Sequence, residues 1–329
     1  MKNNSAANIY NDMVLGYIAL IFHRTGLFEL LSDSVITEKQ LITIYDYDET
    51  IISDLFKRAE FFKIIDISKE NSTVTLTDLG FDLRKNIGFF SWFIGGYSAL
   101  FENGDQLIKK KTSDWKQFVR GDYVAIGSDE ANINLMQHIF DKVINTMDIK
   151  CAADLGCGNA GRLIKMCTEN TSMKGLGVDI SPAAIEVAQK NVDSNNLTDR
   201  IKLIRNNVFN ELVSDNPMFK EVDTVFSFMM LHDLFNISEL NGSLFKKLQL
   251  AFPKADTFVF ADTCLDETSK SEENYPIFTL GYEFSHTLRH IQLFTKAEYY
   301  KRIEQEGMQV VKEIPFSVPN TYLFIIKKK

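Results

Sequence analysis

The stretch AADLGCGNAG, residues 152–161, predicts a β-strand that ends in a tight glycine turn and passes into a helix. Small and apolar residues lead into the turn, and the helix-forming run RLIKMC follows it. Glycine tolerates positive φ and, without a Cβ, lets a ligand approach the backbone amides at the start of the helix. Gly156 and Gly158 therefore indicate a turn that holds a nucleotide-like ligand.

The carboxylates Asp154 and Asp179 narrow the choice of ligand. The glycine spacing also matches the dinucleotide pattern G-x-G-x-x-G, which many sequences match by chance. A carboxylate at the strand end, however, would repel a pyrophosphate and would accept a cationic ligand. Asp179 ends the next apolar run, about 20 residues beyond the turn, where a carboxylate accepts hydrogen bonds from ribose hydroxyls. Together they favour a ligand with a ribose, a positive centre and no phosphate.

These residues resemble the class I S-adenosylmethionine-dependent methyltransferases, whose first motif is D-x-G-x-G and whose second strand ends in an acid. The resemblance implies that Asp154, Gly156 and Gly158 line the methionine end of S-adenosylmethionine and that Asp179 holds its ribose. Asn207 follows the third predicted strand, where relatives usually carry an acid that binds the adenine amino group. Its amide oxygen can accept the same hydrogen bond. An alternative hypothesis, that the chain is an NAD-dependent oxidoreductase, is supported only by the spacing of the glycines.

Strands and helices alternate beyond the motif, with further strands predicted at residues 201–204, 223–228, 257–261 and 322–326. The alternation predicts an α/β fold, a Rossmann-like doubly wound and mostly parallel sheet that binds ligands at the carboxyl ends of its strands. Phe228 ends the fourth strand and is a further predicted contact of the cofactor. We expect residues 106–329 to form this domain.

Residues 1–105 are expected to form a separate, mainly helical domain. Apolar residues recur at helical spacing from Ala6 to about residue 31, which predicts a first helix followed by the stretch GLFELL at residues 26–31. A Thr-x-x-Gln capping box begins the next unit at Thr37, and a third helix begins near Asp48. Two short alternating runs around the polar turn 69–72 predict a hairpin, which completes a winged helix. This layout looks like the N-terminal domain of small-molecule O-methyltransferases, and the resemblance implies a homodimer.

The charge of the chain argues against nucleic acid as a partner. Asp and Glu number 44 against 36 Lys and Arg, which gives a net charge of −8. The helix that follows Asp48 sets Lys57 and Arg58 among four acids, so it lacks the cationic face that phosphate contacts need. We therefore expect neither nucleic acid nor an anionic membrane as a partner.

The apolar run MVLGYIALIF, residues 13–22, is the one segment that imitates a signal peptide. Its polar start, its short length and the lack of a small-residue cleavage pattern favour a buried helix face instead. The four cysteines show neither metal-ligand spacing nor an extracellular framework. These features predict a cytoplasmic protein with reduced thiols.

The segment IGFFSWFIGGYSALF, residues 87–101, is rich in aromatic residues, and Gly95-Gly96 would interrupt a regular helix within it. Core packing is one interpretation of this segment. The other is that Trp92, Phe93 or Tyr97 covers a substrate pocket between the two domains. Trp92 and Tyr97 are therefore candidate substrate contacts.

The stretch FMMLHDLF, residues 228–235, is where the chemistry is expected. It places Met229, His232 and Asp233 at the carboxyl end of the fourth strand, near the expected position of the transferable methyl group. A sulfonium methyl is already activated, so the protein must align donor and acceptor, which is worth about 7–11 kcal/mol. As a general base, His232 would deprotonate a hydroxyl, and the enzyme would be an O-methyltransferase.

A second chemistry uses His232 and His286 as metal ligands. Two imidazoles suit iron, zinc, copper or nickel and leave positions open for a chelating substrate. A 2-oxo acid can chelate through its carboxylate and keto oxygens, and the resulting enolate makes the adjacent carbon nucleophilic. That carbon would then take the methyl group. The sequence leaves open whether His286 or His290 is the second ligand.

The pattern of Met229, His232 and Asp233 with a distant His286 resembles the metal-dependent 2-oxo acid C-methyltransferases. The resemblance favours methylation of the β carbon over O-methylation and implies iron as the metal and a small 2-oxo acid as the substrate. It also implies that Arg120 pairs with the substrate carboxylate, that Asp233 orients the substrate or a metal-bound water, and that Met229 contacts the substrate.

Overall fold

The computed structural model describes residues 5–212, 217–265 and 276–329. These residues form two compact units. Residues 5–103 and Lys116–Leu135 form the first, and Gly104–Trp115 together with the described residues from Met136 onward form the second. The single boundary expected near residue 105 does not capture this interleaving, because residues 116–135 pack with the N-terminal part of the chain.

Up to residue 135, three helices begin at Ala6, Glu38 and Glu49, close to the three predicted starts. The helices are α1 (Ala6–Arg24), α2 (Leu27–Asp33), α3 (Glu38–Tyr45), α4 (Glu49–Phe61), α5 (Asp78–Lys85), α6 (Ile87–Phe90), α7 (Ser98–Glu102), α8 (Gly104–Ile108) and α9 (Gly121–Ala131), of which α8 lies in the second unit. The strands are β1 (Ile36–Thr37), β2 (Ile65–Ile67) and β3 (Thr73–Leu76), which form an antiparallel sheet in the order β1-β3-β2.

Local signals fix the helix starts in the first unit. The capping box at Thr37 is formed, since its hydroxyl accepts from the Gln40 amide at 3.2 Å and the Gln40 side chain accepts from the Thr37 amide at 2.9 Å. Asp48 caps α4 by accepting from the Ile51 amide at 2.9 Å. The predicted hairpin is present as β2 and β3, so the order of two helices and a hairpin is confirmed.

The expectation that residues 13–22 form a buried helix face is wrong for one side of α1. An apolar stripe with side chains 44–60% exposed lies along this helix: Ile9, Met13, Tyr17 and Ile21. The buried side instead consists of Gly16, Ile18, Ala19, Leu20 and Phe22. The helix is apolar on nearly all sides, so the spacing of its apolar residues does not determine which side is buried. The side with the small residues Gly16 and Ala19 is the buried one, because small side chains let neighbouring helices pack closer to α1.

Residues 87–102 form one continuous helical segment that widens into π-helical turns at Ser91–Tyr97. The predicted interruption at Gly95-Gly96 therefore takes the form of a local widening. Helix α9 packs closely against this segment, and a Cβ at either glycine would lie 2.7 Å from a side chain of α9. Trp92 and Tyr97 are buried in the first unit, with their rings 4.3 Å apart.

The second unit is built on a seven-stranded sheet in the order β6-β5-β4-β7-β8-β10-β9. Its strands are β4 (Cys151–Leu155), β5 (Lys174–Asp179), β6 (Ile201–Arg205), β7 (Thr224–Phe228), β8 (Thr257–Thr263), β9 (Met308–Pro315) and β10 (Thr321–Lys328). The strands from β4 to β8 pair in parallel, and β10 runs antiparallel to both β8 and β9. The predicted α/β, Rossmann-like sheet is confirmed.

Helices accompany the sheet along the chain. They are α10 (Gln137–Ile144), α11 (Gly161–Glu169), α12 (Pro182–Ser194), α13 (Val208–Leu212), α14 (Leu231–Asn236), α15 (Leu244–Ala251), α16 (Thr279–Leu288) and α17 (Lys296–Gln305). Strand β8 is buried along its whole length, as expected for an inner strand of such a sheet.

The strand order reverses between β4 and β7. The chain moves outward from β4 through β5 to β6 and then returns to the other side of β4 with β7 and β8. A doubly wound sheet opens a crevice at such a reversal, at the carboxyl ends of the strands. Both stretches singled out from the sequence, the glycine turn after β4 and the residues after Phe228, lie at this edge.

In the described part of the chain, no single helix has both the length and the apolar composition to cross a membrane. Helices α1 and α2 meet those two criteria only as a pair, with a bend of 71° between them. The four cysteines are free thiols.

Candidate active site

The glycine turn after β4 has the conformation that its sequence predicts. Gly156 and Gly158 have φ values of 75° and 55°. The Gly156 amide donates to the Val178 carbonyl at 2.8 Å, which anchors the turn to β5. A Cβ at Gly156 would lie 3.0 Å from the Met230 sulfur, so a side chain here would be both strained and crowded.

Asp179 braces the turn from the end of β5. One carboxylate oxygen accepts from the Gly158 amide at 2.9 Å, and the other accepts from the Ser181 amide at the same distance. An ionised carboxylate offers about four lone-pair positions, so both oxygens can still accept from a ligand. The contact between Asp179 and the ribose stays a prediction. The hydrogen bonds that Asp179 accepts from the turn are a structural role in addition to it.

Asp154 is fully buried at the end of β4 and forms an ion pair that the sequence reasoning missed. Its Oδ2 accepts from Arg162 Nη1 at 2.7 Å, whereas Oδ1 is buried without a partner among the described residues. The guanidinium of Arg162 lies 3.6 Å from the centroid of the Phe228 ring. Phe228 therefore lies beside the ion pair at the glycine turn. The signal for this ion pair in the sequence was Arg162, a cation in the first turn of α11.

Asn207 has a local structural role after β6. Its side-chain oxygen accepts from the Phe209 amide at 2.9 Å, at the start of α13. The amide oxygen has a second lone pair, so the adenine contact stays a prediction.

Met229 connects β7 to α14 in an unusual backbone conformation. Its φ is 55°, and its amide donates to the Ala261 carbonyl at 2.7 Å. A left-handed conformation in a residue other than glycine costs about 1–3 kcal/mol and is common at functional sites. The sharp change of direction after Met229 places His232 in the first turn of α14.

His232 is buried and is held by the carboxylate of Asp262 at two points. Its backbone amide donates to Asp262 Oδ2 at 2.7 Å, and its Nδ1 lies 2.9 Å from Asp262 Oδ1. A carboxylate accepts only, so Nδ1 carries a proton and Nε2 is the nitrogen available for chemistry.

The sequence reasoning missed Asp262, which is fully buried near the end of β8. Besides His232, the Tyr299 hydroxyl donates to its Oδ2 at 3.1 Å and the Thr263 amide donates to its Oδ1 at 2.8 Å. Four donated hydrogen bonds fix its position. An acid within a strand whose other residues are apolar or threonine was the available signal.

His286, on α16, faces His232. Its Nδ1 lies 2.7 Å from the Tyr282 carbonyl, which accepts only, so its Nε2 carries a lone pair. That Nε2 lies 3.2 Å from Nε2 of His232. The structure therefore places His286 beside His232, while His290 lies in the turn that follows α16, with a φ of 57°.

The surroundings shift the two imidazoles in opposite directions. Burial disfavours the charged form of His232, but the Asp262 carboxylate outweighs this cost and raises the pKa of His232 above its usual value. Burial, the charge of Arg289 and His232 together lower the pKa of His286 to about 2. Near neutral pH His286 is therefore a neutral ligand or hydrogen-bond acceptor.

Asp233 and Arg289 supply further charge near the two histidines. Asp233 Oδ2 lies 3.5 Å from His232 Nε2, and its side chain is 47% exposed. The Nε of Arg289 donates to the Ser285 carbonyl at 3.2 Å, and its guanidinium lies 5.4 Å from the Trp115 ring. Within residues 5–212, 217–265 and 276–329, no group of three or more His, Cys, Asp or Glu is arranged to hold a metal ion.

The other predicted substrate residues lie in the first unit. Arg120 forms an exposed ion pair with Asp122, Nη2 to Oδ2 at 3.0 Å, and its guanidinium lies 4.1 Å from the Tyr123 ring. Trp92 and Tyr97 are buried there. Their contacts with a substrate stay predictions.

Comparison with known proteins supports methyl transfer as the reaction. Residues 151–307 match the family described as methyltransferase domain. Indolepyruvate C-methyltransferase of Streptomyces griseus is 22% identical over 335 residues, which cover 99% of this chain and 95% of that enzyme.

Solved structures share the fold over nearly the whole chain. The pyocyanin biosynthetic protein PhzM has a TM-score of 0.67 at 14% identity, covering 98% of each chain. The O-methyltransferase NcsB1 from neocarzinostatin biosynthesis, solved with S-adenosylmethionine and 2-hydroxy-5-methyl naphthoic acid, has a TM-score of 0.59 at 13% identity, covering 99% of this chain and 100% of its own.

The residues at the reversal of the sheet fit S-adenosylmethionine as cofactor. The turn after β4 has positive φ and open space beside Gly158, one buried oxygen of Asp154 has no partner among the described residues, and Asp179 ends β5. This chain is therefore an S-adenosylmethionine-dependent methyltransferase with a class I fold, and residues 151–307 are the part of it that matches the family described as methyltransferase domain.

Proposed function

We propose that the enzyme methylates the β carbon of a 2-oxo acid and that His232 and His286 hold a metal ion which the substrate chelates. The observation that carries this proposal is the 3.2 Å separation of the two Nε2 atoms. Two imidazole nitrogens bound to one ion at about 2.1 Å lie about 3.0–3.4 Å apart when the angle at the ion is ~90–110°. The pair therefore has the spacing of metal ligands.

The surroundings of the two rings also suit metal ligands. A ligating histidine usually donates its other ring N–H to a carboxylate or a backbone carbonyl, which fixes its tautomer and orientation. Here Nδ1 of His232 donates to Asp262 and Nδ1 of His286 donates to the Tyr282 carbonyl. Imidazole ligands suit iron, zinc, copper or nickel, and among these we favour iron.

When bound, such an ion supplies Lewis-acid chemistry that makes the β carbon of a 2-oxo acid easier to deprotonate. The residues of the chain then have two tasks. Asp262 and Tyr282 hold the imidazoles, and the turn after β4 holds the methyl donor at the same edge of the sheet. Met229 and Asp233, at the end of β7, are proposed to position the substrate between them.

A 2-oxo acid needs a cation for its carboxylate. Arg120 is the residue implied by resemblance, and Arg289 is a second candidate because its charge acts on His286. In a steady-state assay, an Arg→Met substitution at the residue that binds the carboxylate should raise KM by roughly 10–100-fold, since a charged hydrogen bond is worth about 1.5–3 kcal/mol. The substitution at the other position serves as the control.

The indolepyruvate C-methyltransferase supports carbon as the acceptor, because its name describes methyl transfer to the carbon of a 2-oxo acid. The alternative is O-methylation, which the fold of NcsB1 also accommodates. In that case His232, with Asp262 behind it, acts as a general base toward a hydroxyl. The same histidine is thus used in both proposals, and the product distinguishes them.

The test is to locate the transferred methyl group. We would supply S-adenosylmethionine with a ¹³C-labelled methyl group, ferrous iron, and a panel of aryl and alkyl 2-oxo acids beside aromatic hydroxy acids. The proposal expects a labelled methyl coupled to a β proton in the NMR spectrum of a 2-oxo acid product. Label that appears only as an O-methyl group would establish the alternative.

We also propose that the enzyme is a homodimer formed through the first unit and that the helix–helix–hairpin layout of this unit is a winged helix. The exposed apolar stripe Ile9–Met13–Tyr17–Ile21 extends along about 18 Å of α1. A second copy of the chain is the partner that presents the same stripe.

Sedimentation velocity should show a monomer for Met13→Lys and a dimer for Phe81→Lys, an exposed apolar position on α5. Equal behaviour of the two variants would contradict the proposal.

A further inference from the structure

The ion pair between Asp154 on β4 and Arg162 on α11 joins the two elements that flank the glycine turn. Asp154 is fully buried and the Arg162 side chain is 12% exposed. Arg162 engages only Oδ2, and Oδ1 has no hydrogen-bond partner in the described part of the chain. A buried carboxylate oxygen is costly to leave without a donor, so Oδ1 points to a group supplied by a ligand.

Aromatic rings hold Arg162 in place. The centre of its guanidinium lies 3.6 Å from the Phe228 ring centroid and 5.7 Å from that of Phe140. These two rings meet edge to face, with centroids 5.2 Å apart. The two rings therefore hold the positive charge of Arg162 in position.

The carboxylate depends on this charge. Burial raises the pKa of Asp154, and the charge and the hydrogen bond of Arg162 oppose that rise. Loss of Arg162 would remove this opposition and raise the pKa of Asp154 further. A protonated acid attracts an ammonium group less strongly than a carboxylate does.

We propose that Arg162 is a positioning residue for the amino-acid end of S-adenosylmethionine: its hydrogen bond to Oδ2 holds the Asp154 carboxyl group so that Oδ1 accepts a hydrogen bond from the ammonium group of the cofactor. Phe228 takes part by fixing the guanidinium, which gives this predicted cofactor residue an indirect role. The adenosine end depends on other residues, among them Asp179. Loss of Arg162 should therefore weaken ligands that have the amino-acid end and spare ligands that lack it.

Isothermal titration calorimetry with two nucleosides tests this selectivity. S-adenosylhomocysteine carries the amino-acid end, whereas 5′-methylthioadenosine keeps the adenosyl thioether and lacks it. For Arg162→Met we expect the Kd of S-adenosylhomocysteine to rise roughly 10–100-fold and that of 5′-methylthioadenosine to change by less than about 2-fold, as for the loss of a charged hydrogen bond. Asp154→Asn should give the same selective loss, and Arg162→Lys, which keeps the charge, a smaller one.

Two results would overturn the proposal. An equal loss of affinity for both nucleosides would mean that Arg162 supports the whole turn, and unchanged affinity for both would mean that it has no role in binding. If a thermal melt shows that Arg162→Met does not fold, the ratio of the two affinities in Arg162→Lys and Asp154→Asn decides, and a ratio equal to that of the wild type overturns the proposal. Failure of the wild type to bind either nucleoside would contradict the cofactor assignment itself.

Discussion

Replacing His286 with alanine is expected to remove the proposed metal ion and to lower the rate of methyl transfer by at least about 1,000-fold. Lewis-acid stabilisation by a metal ion is worth several kcal/mol, and each 1.4 kcal/mol corresponds to about a factor of ten in rate. The imidazole of His286 provides one of the two lone pairs that converge within 3.2 Å. Its loss leaves a single histidine, which cannot retain the ion against a chelator.

The measurement combines elemental analysis of the purified variant with the rate of methyl transfer before and after chelation. His290→Asn is the matched control, because His290 lies four residues further along the chain and asparagine tolerates its positive φ. The control should keep both metal and activity. A His286→Ala enzyme with a full complement of metal, or a metal-free wild type that ignores the chelator, would contradict the metal proposal and favour His232 as a general base.

Replacing Asp179 with alanine is expected to weaken S-adenosylmethionine binding by roughly 100-fold or more, because hydrogen bonds to a charged group are worth about 1.5–3 kcal/mol each. The ribose hydroxyls would lose their acceptor. The amides of Gly158 and Ser181 would lose theirs as well, so the turn after β4 would also lose its support.

Equilibrium binding of S-adenosylmethionine measures this effect. Glu186→Ala is a suitable control, since Glu186 is an acid on the next helix whose ion pair with Lys190 is exposed and therefore contributes little. Affinity close to that of the wild type in Asp179→Ala would show that the residue binds no ribose.

The glycine turn after β4 and the acids beside it could be predicted because their signals are local. Glycines at fixed offsets, the acid before them and the acid at the end of β5 each follow from the conformation of a few neighbouring residues. The mostly parallel sheet could be predicted because strand and helix patterns alternate along the sequence. Even the helix starts at Thr37 and Asp48 depend on side chains only three residues away.

The hydrogen bonds that support His232 could not be predicted, since they depend on contacts between distant residues. Asp262 lies 30 residues from His232, and Tyr299 lies 37 residues further along from Asp262. Both are fully buried in the core, where a sequence pattern expects apolar residues. The choice between His286 and His290 depended on the orientation of α16, which spacing along the chain does not report. For α1, apolar residues on nearly all sides left the buried side undetermined.

The interleaving of the two units constrains how the chain can fold as it is synthesised. Residues 116–135 belong to the first unit, although residues 104–115 belong to the second. The first unit therefore lacks α9 until the ribosome has released residue 135, and until then the closely packed backbone at Gly88, Gly95 and Gly96 has no cover. A fragment cut after residue 105 would expose this surface permanently, so an isolated N-terminal fragment should extend to residue 135.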